Sequence, residues 1–93
     1  MQDQPNGRLP LRLPDPDGPE YAAQKVVLLE LVVAPPEGGD SVEYLSRALS
    51  LGSTELDATL GALEGVGLAE RWGDAVFGSA AALYFEHLWP VRP

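Results

Sequence analysis

The chain has 93 residues, nine prolines, ten glycines and a formal charge of −8 at pH 7. This length limits it to one domain near the size where stability is marginal, and a hydrophobic fraction of 45% is too high for a disordered chain. The six basic residues are scattered along the sequence, so no basic patch favours binding to nucleic acid or to an anionic membrane. Only a local basic face in the folded protein would permit such binding.

Cysteine is absent, which excludes disulfides, thiolate nucleophiles and thiolate metal sites and agrees with a reducing compartment. The N-terminal residues lack the apolar segment of a signal peptide. The longest apolar run, residues 26–34, is interrupted by Glu30 and is far shorter than the roughly 20 residues needed to cross a bilayer. We therefore expect a soluble cytoplasmic protein without membrane contacts.

Residues 1–19 contain five prolines, which forbid a continuous helix and predict an extended arm. Within this arm Leu9, Leu11 and Leu13 alternate along the sequence and would point to one side of an extended chain. The arm is either a solvated tail or a segment that packs on the domain or on a second subunit. The folded domain is predicted to cover residues 20–93.

A first helix is predicted over residues 20–34, where good helix formers carry an almost unbroken apolar surface. We expect this helix to be buried on several sides. Pro35 and Pro36 cannot continue it and should end it.

The next two helices are predicted on either side of a short turn. Asp40 can cap a second helix over residues 41–50, while Glu43 returns a hydrogen bond as in a capping box. Gly52 is predicted to make the turn, and Ser53 to cap the third helix.

The third helix should begin with Glu55 and Asp57 in its first turn, where the helix dipole favours negative charge. Either Gly65 or Gly67 should end it. At about 100° per residue three leucines fall on one face and should be buried. These are Leu56, Leu60 and Leu63.

A β-hairpin and a last helix complete the chain. Residues 68–72 and 75–78 flank Gly73 and Asp74, a two-residue connection that suits a hairpin. The last helix is predicted over residues 80–89. Ser79 should cap it and Pro90 should end it.

This order of elements resembles the winged-helix regulators akin to the multiple-antibiotic-resistance repressor type, over roughly residues 20–89. The most specific part is an ungapped run that matches the family's core leucines and the GL-x-ER entry to the wing. It comprises Leu45, Ala48, Leu49, Leu51, Leu56, Leu60, Leu63, Gly67, Leu68, Glu70 and Arg71. The resemblance implies a mainly α fold with a small β-hairpin: a three-helix helix-turn-helix core, a two-stranded wing and a C-terminal helix. It also implies a regulator that dimerises and lays its third helix in the major groove of DNA.

The third helix does not carry the side chains that such DNA contacts need. The positions that match the family's base and phosphate contacts hold no cation, Asn or Gln. These positions are Thr54, Glu55, Asp57, Ala58, Gly61 and Ala62. With Glu64 and with Asp74 at the wing tip, the acids would repel phosphate by roughly 1–4 kcal/mol per close pair. That penalty is comparable to the roughly 4–10 kcal/mol that separates specific from non-specific binding. Arg47 and Arg71 are the only nearby cations that could contact a DNA backbone.

Small residues cluster on the face of the third helix opposite its leucines. They are Thr54, Ala58, Gly61, Ala62 and Gly65, bordered by Glu55, Asp57 and Glu64. This face is either an ordinary solvated surface or a docking surface for a protein partner, and its acidic border suits a basic one. Gly61 favours docking, because glycine inside a helix costs about 1 kcal/mol relative to alanine.

The last helix is apolar around most of its circumference. Some of these residues should complete the core, and the others could form a homodimer interface. With the arm leucines, the interface candidates are Leu9, Leu11, Leu13, Tyr84, Phe85, Leu88 and Trp89.

The sequence carries no recognisable catalytic or metal-binding pattern. His87 is the only histidine and cannot form a zinc cluster without other ligands, and the serines show no nucleophile-elbow pattern. We expect no enzyme activity, no cofactor and no metal. The favoured interpretation is a regulatory domain that acts through protein contacts. A dimeric DNA-binding transcriptional regulator and a structural subunit of a larger assembly are the alternatives.

Overall fold

The computed structural model of the protein describes residues 13–33 and 37–90. They form four helices and a small antiparallel sheet of three strands, which confirms the coarse prediction of a helix-rich domain with a small sheet. The elements in chain order are α1 (Pro19–Val32), β1 (Asp40–Ser41), α2 (Val42–Leu49), α3 (Ser53–Gly65), β2 (Ala69–Trp72), β3 (Ala75–Gly78) and α4 (Ala80–Leu88). Most of the predicted arm lies outside the described residues.

The core lies between α1, α2, α3 and the sheet. Its almost completely buried side chains are Val27, Leu31, Leu45, Leu56, Leu60, Leu63 and Val76. The three leucines predicted to form the inner face of α3 are therefore confirmed. The expectation that the first helix is buried on several sides is wrong, because α1 buries mainly one stripe, with Ala23, Val27 and Leu31 four residues apart, and Val26 is exposed.

Asp40 does not cap the second helix, contrary to the sequence prediction. The cap is Ser41, whose Oγ accepts a hydrogen bond of 3.0 Å from the backbone N–H of Tyr44. Asp40 instead lies in β1 opposite Val76 of β3. The two-residue strand therefore ends directly before the helix, and the helix cap lies one residue later in the chain than predicted.

The turn between α2 and α3 is made by Ser50 and not by Gly52. Ser50 adopts the left-handed conformation with φ 56°, and the N–H of Leu51 donates to the carbonyl of Ser46 at 3.0 Å. The Ser46 hydroxyl closes the turn by donating to the Leu51 carbonyl at 2.6 Å. Ser53 is the first residue of α3 and not its cap, since Gly52 holds the cap position without a side-chain hydrogen bond.

The end of α3 is fixed by a pair of backbone hydrogen bonds of the Schellman type. The N–H of Leu68 donates to the Leu63 carbonyl at 2.8 Å, and the N–H of Gly67 donates to the Glu64 carbonyl at 3.0 Å. Gly67 has φ +83°, a conformation that other L-residues rarely adopt. This geometry confirms the predicted glycine stop.

The sheet has the strand order β1-β3-β2. The hairpin of β2 and β3 is confirmed, and Gly73 has φ +64° in its turn. The prediction of only two strands is wrong, because β1 pairs with the edge of β3 that is not paired with β2. A strand of two residues carries no alternating pattern, so the sequence did not reveal it.

The last helix begins as predicted, with Ser79 Oγ accepting from the N–H of Ala82 at 3.1 Å. Ala82 is the only buried residue within α4. Across residues 13–33 and 37–90, no helix combines the length and the apolar character that a membrane span requires.

Candidate interaction surfaces

The small residues of α3 lie together on its outer face. Thr54, Ala58, Gly61, Ala62 and Gly65 are all exposed. The inner face is fixed by the buried leucines and by Thr59, whose hydroxyl donates to the Glu55 carbonyl at 2.9 Å. The predicted small face is therefore presented to solvent as one continuous surface.

No contact within the described part of the chain explains the glycine at position 61. A Cβ added at Gly61 would meet no atom within 4 Å, and the same holds for Gly65 near the end of α3. Gly78 is different, because an added Cβ would lie 3.1 Å from the Leu31 carbonyl oxygen. Close packing therefore accounts for Gly78 but not for Gly61.

The acidic border of α3 binds the one arginine next to it. The Arg71 guanidinium donates from Nε and Nη2 to Glu64 Oε1 at 3.1 and 3.0 Å, and from Nη1 to Asp57 Oδ1 at 3.2 Å. The hydrogen bond to Glu64 is the main cause of a raised pKa of Arg71. Glu64 and Arg71 are partly buried, whereas Asp57 is exposed. Arg71 thus fastens β2 to α3, and its charge is offset by two carboxylates.

The other cations of the described segments are also engaged. Arg47 lies 3.9 Å from Glu43 on the exposed side of α2. Lys25 Nζ lies 5.2 Å from the centroid of the Tyr21 ring, within cation–π distance. Both arginines that were predicted as possible contacts to a DNA backbone, Arg47 and Arg71, therefore have an acidic neighbour.

The hairpin tip adds no cation. Asp74 is exposed in the turn, and Trp72 beside it is 69% exposed, with its Nε1 donating to Glu70 Oε1 at 3.3 Å. Trp72 has no role in the sequence-based predictions, although its place at the end of a predicted strand was visible in the sequence. The tip thus presents an aromatic ring between two acids.

The last helix presents most of its apolar side chains to solvent. The exposed fractions are 66% for Tyr84, 65% for Phe85, 62% for Leu88 and 72% for Trp89. The expectation that some of these residues complete the core is wrong, since α4 buries only Ala82. Of the arm leucines grouped with them, Leu13 is exposed and Leu9 and Leu11 lie outside the described residues.

An apolar groove of about 380 Å³ lies between α1 and α4. Its walls are Leu28, Leu29 and Val32 of α1, Ala82, Phe85 and Glu86 of α4, and Leu68 and Trp89. Glu86 is the only charged residue among them. The groove and the exposed face of α4 form one continuous apolar surface, because they share Phe85 and Trp89.

One buried carboxyl group, predicted from the sequence to cap a helix, belongs to the first strand of the sheet. Asp40 is 5% exposed, and its Oδ2 has no hydrogen-bond partner. Burial raises the pKa of Asp40, and the nearby charge of Glu30 raises it further. Glu30 Oε2 accepts a hydrogen bond of 3.2 Å from the Tyr44 hydroxyl, which raises the pKa of Tyr44. The sequence gives no signal for this hydrogen bond between Glu30 and Tyr44, because the two residues are fourteen positions apart.

Within residues 13–33 and 37–90, no group of three or more His, Asp or Glu side chains is placed to hold a metal ion. Comparison with known proteins returns no significant match, whether to a family model, to a curated protein or to a solved structure.

Proposed function

We propose that residues 20–93 form a non-catalytic winged helix-turn-helix domain of the transcription-regulator type, which acts mainly through protein–protein contacts of α3. The order of the elements supports the fold, since α2 and α3 are joined by a tight turn and followed by the β2–β3 hairpin. The sheet order supports it too, because the short β1 beside β3 ties the segment before α2 to that hairpin. In such a domain α3 is the helix that faces the bound partner.

The single observation that carries the choice of partner is the charge of the exposed face of α3. That face offers small side chains and exposed carboxylates but no base-reading cation or amide. Arg71, a cation beside this face, is held by Glu64 and Asp57. A phosphate backbone would meet negative charge here, whereas a basic protein surface would meet complementary charge and a face on which a helix can approach closely.

Two titrations of the isotope-labelled full chain, followed by backbone amide NMR shifts, distinguish protein from DNA. The first uses a mixed-sequence DNA duplex at low salt, where weak phosphate contacts have their best chance to appear. The second uses a helical peptide rich in Lys and Arg. We expect shifts on the outer face of α3 with the peptide and none with the duplex. Shifts on α3 and around Asp74 with DNA would instead establish the DNA-binding alternative.

A matched pair of variants tests whether the outer face of α3 makes the contact. Ala58→Arg places a long cation on that face, and Ala22→Arg makes the same change on the exposed surface of α1. Ala58→Arg should abolish peptide binding and Ala22→Arg should reduce it only slightly, with both variants folded. Equal loss in the two variants would mean that the peptide responds to net charge alone, and it would refute the proposed site.

A further inference from the structure

The groove between α1 and α4 exists because one face of α4 is turned toward α1 without closing on it. The residues of this face follow helical spacing and are Ala82, Phe85, Glu86 and Trp89. Ala82 is buried, whereas Phe85 and Trp89 are largely exposed. The apolar walls would therefore gain from a chain segment that fills the groove and removes them from water.

The chain makes a turn immediately before α1. The N–H of Gly18 donates to the Asp15 carbonyl at 2.8 Å and closes a four-residue turn. The N–H of Asp17 donates to Asp15 Oδ1 at 3.0 Å and supports it. A turn of this kind lets the preceding chain run back alongside α1, toward the C-terminal half of that helix. The groove lies at this half, since its α1 walls fall within residues 28–32.

The lengths of chain and helix match at the groove. Measured from the turn, an extended chain spans about 13 Å to Leu11 and about 20 Å to Leu9. Measured from its first residue, α1 spans about 14–20 Å to residues 28–32. Leu13 is only about 7 Å from the turn and falls short of the groove, in agreement with its 77% exposure. The chain is therefore long enough for Leu9 and Leu11 to reach the groove.

Residues 8–12, with the sequence Arg-Leu-Pro-Leu-Arg, have the chemistry that the groove requires. Leu9 and Leu11 alternate and would project to one side of an extended chain. Pro10 between them has no backbone N–H, so burying this segment against apolar side chains leaves one donor fewer without a partner. Proline also reduces the conformational freedom that the segment loses on docking.

Charge favours this segment over an external occupant. Residues 1–13 contain two arginines and one aspartate and carry +1, whereas the other 80 residues carry −9. Glu86 is the one charged wall of the groove and takes part in none of the ion pairs within residues 13–33 and 37–90. Arg8 and Arg12 border the two leucines and bring complementary charge to it. A second copy, which also carries −8, and an anionic membrane would both be repelled.

We propose that the groove between α1 and α4 is the docking site of residues 8–12 of the same chain. Leu9 and Leu11 fill the groove beside Phe85 and Trp89, and a neighbouring arginine pairs with Glu86 at its edge. A segment of the same chain has an effective concentration on the order of millimolar, so weak contacts suffice. Docking covers apolar surface of α4 and fastens this short helix to α1. The inference does not depend on the proposed role of α3, which lies on a different surface.

Fluorescence of Trp89 tests the docking in the full chain at low micromolar concentration. Trp72→Phe leaves Trp89 as the only tryptophan and serves as the parent of every variant. The double variant Leu9→Ser, Leu11→Ser should move Trp89 emission to longer wavelength and increase its quenching by acrylamide. Leu13→Ser is the matched control on the same arm and should change neither, since Leu13 is exposed. Identical spectra of the double variant and its parent would overturn the proposal.

A spin label locates the arm and distinguishes one chain from two. The chain has no cysteine, so Asn6→Cys provides a single site for a nitroxide. We expect backbone amide signals at the C-terminal end of α1 and in α4 to lose intensity, and those of the first turn of α1 to keep it. Loss of intensity elsewhere, or nowhere, would refute the proposed site. Unlabelled ¹⁵N protein mixed with spin-labelled ¹⁴N protein should keep its signals. Loss of intensity in that mixture would show that the arm docks on a second copy, contrary to the proposal.

A charge variant tests the ion pair in the spin-labelled chain. Glu86→Gln should weaken the effect of the label on α4, because the docked arginine loses its partner. Glu55→Gln removes the same charge from the exposed surface of α3 and should leave the effect unchanged. Equal effects of the two substitutions would mean that Glu86 does not hold the arm, which would refute the assigned ion pair.

Discussion

Replacing Gly61 by alanine should make the protein more stable while weakening partner binding. Gly61 lies inside α3, does not have a positive φ, and has open space where a Cβ would be placed. The substitution should therefore gain about 0.5–1 kcal/mol from helix propensity, with no steric cost. In a domain of this size that corresponds to a rise in Tm of roughly 2–8 °C.

Two other glycines provide matched controls for the same substitution. Gly67 also has open space but has φ +83°, so Gly67→Ala should cost about 1–2 kcal/mol through backbone strain alone. A Cβ added at Gly78 would lie 3.0 Å from Val32 Cγ1 and 3.1 Å from the Leu31 carbonyl oxygen, so Gly78→Ala should cost about 1–3 kcal/mol through overpacking. Only the Gly61 variant should unfold at higher urea concentration than the unmodified protein.

Urea unfolding followed by far-UV circular dichroism measures the three free energies, and the peptide titration measures binding in the stabilised variant. A Gly61→Ala protein that is more stable but binds the basic peptide less tightly would support the proposed role of Gly61. It would show that glycine at this position lowers stability but lets a partner approach α3 closely. A less stable Gly61→Ala protein would refute the open-space argument. A more stable variant with unchanged peptide binding would refute the role of Gly61 in docking.

Three further predictions concern the interior and the ion pairs. A double-mutant cycle of Arg71→Met with Glu64→Gln should give a coupling energy of about 1–2 kcal/mol in urea unfolding, because Arg71 is 29% and Glu64 32% exposed. The same cycle with Asp57→Asn should give only about 0.2–1 kcal/mol, and equal couplings would contradict the difference in burial. Leu60→Ala should lower the free energy of unfolding by about 2–5 kcal/mol, since its side chain is fully buried. Asp40→Asn should stabilise the protein at neutral pH. The raised pKa of Asp40 means that the folded state binds the Asp40 proton more tightly than the unfolded chain does. The ionised carboxylate therefore destabilises the folded protein at neutral pH, and this loss of stability is recovered as pH falls and Asp40 is protonated. Unfolding free energies measured from pH 7 downward should therefore show the advantage of Asp40→Asn shrinking, and a constant advantage would contradict the assignment.

The parts of the fold that follow from local chemistry were predictable from the sequence. The spacing of Leu56, Leu60 and Leu63 predicts the inner face of α3, and all three are buried. The glycine at position 67 predicts the helix stop, and its positive φ agrees. In both cases the determining residues are a few positions apart, so a local pattern carries the information.

The features that the sequence missed depend on contacts between distant segments or on rare conformations. β1 exists because residues 40–41 pair with β3, more than thirty positions further along the chain. Ser50 adopts a left-handed conformation, which residue preferences would assign to Gly52 instead. The exposure of the aromatic residues of α4 depends on where that helix lies against α1, and an apolar pattern alone cannot separate a core face from an interface.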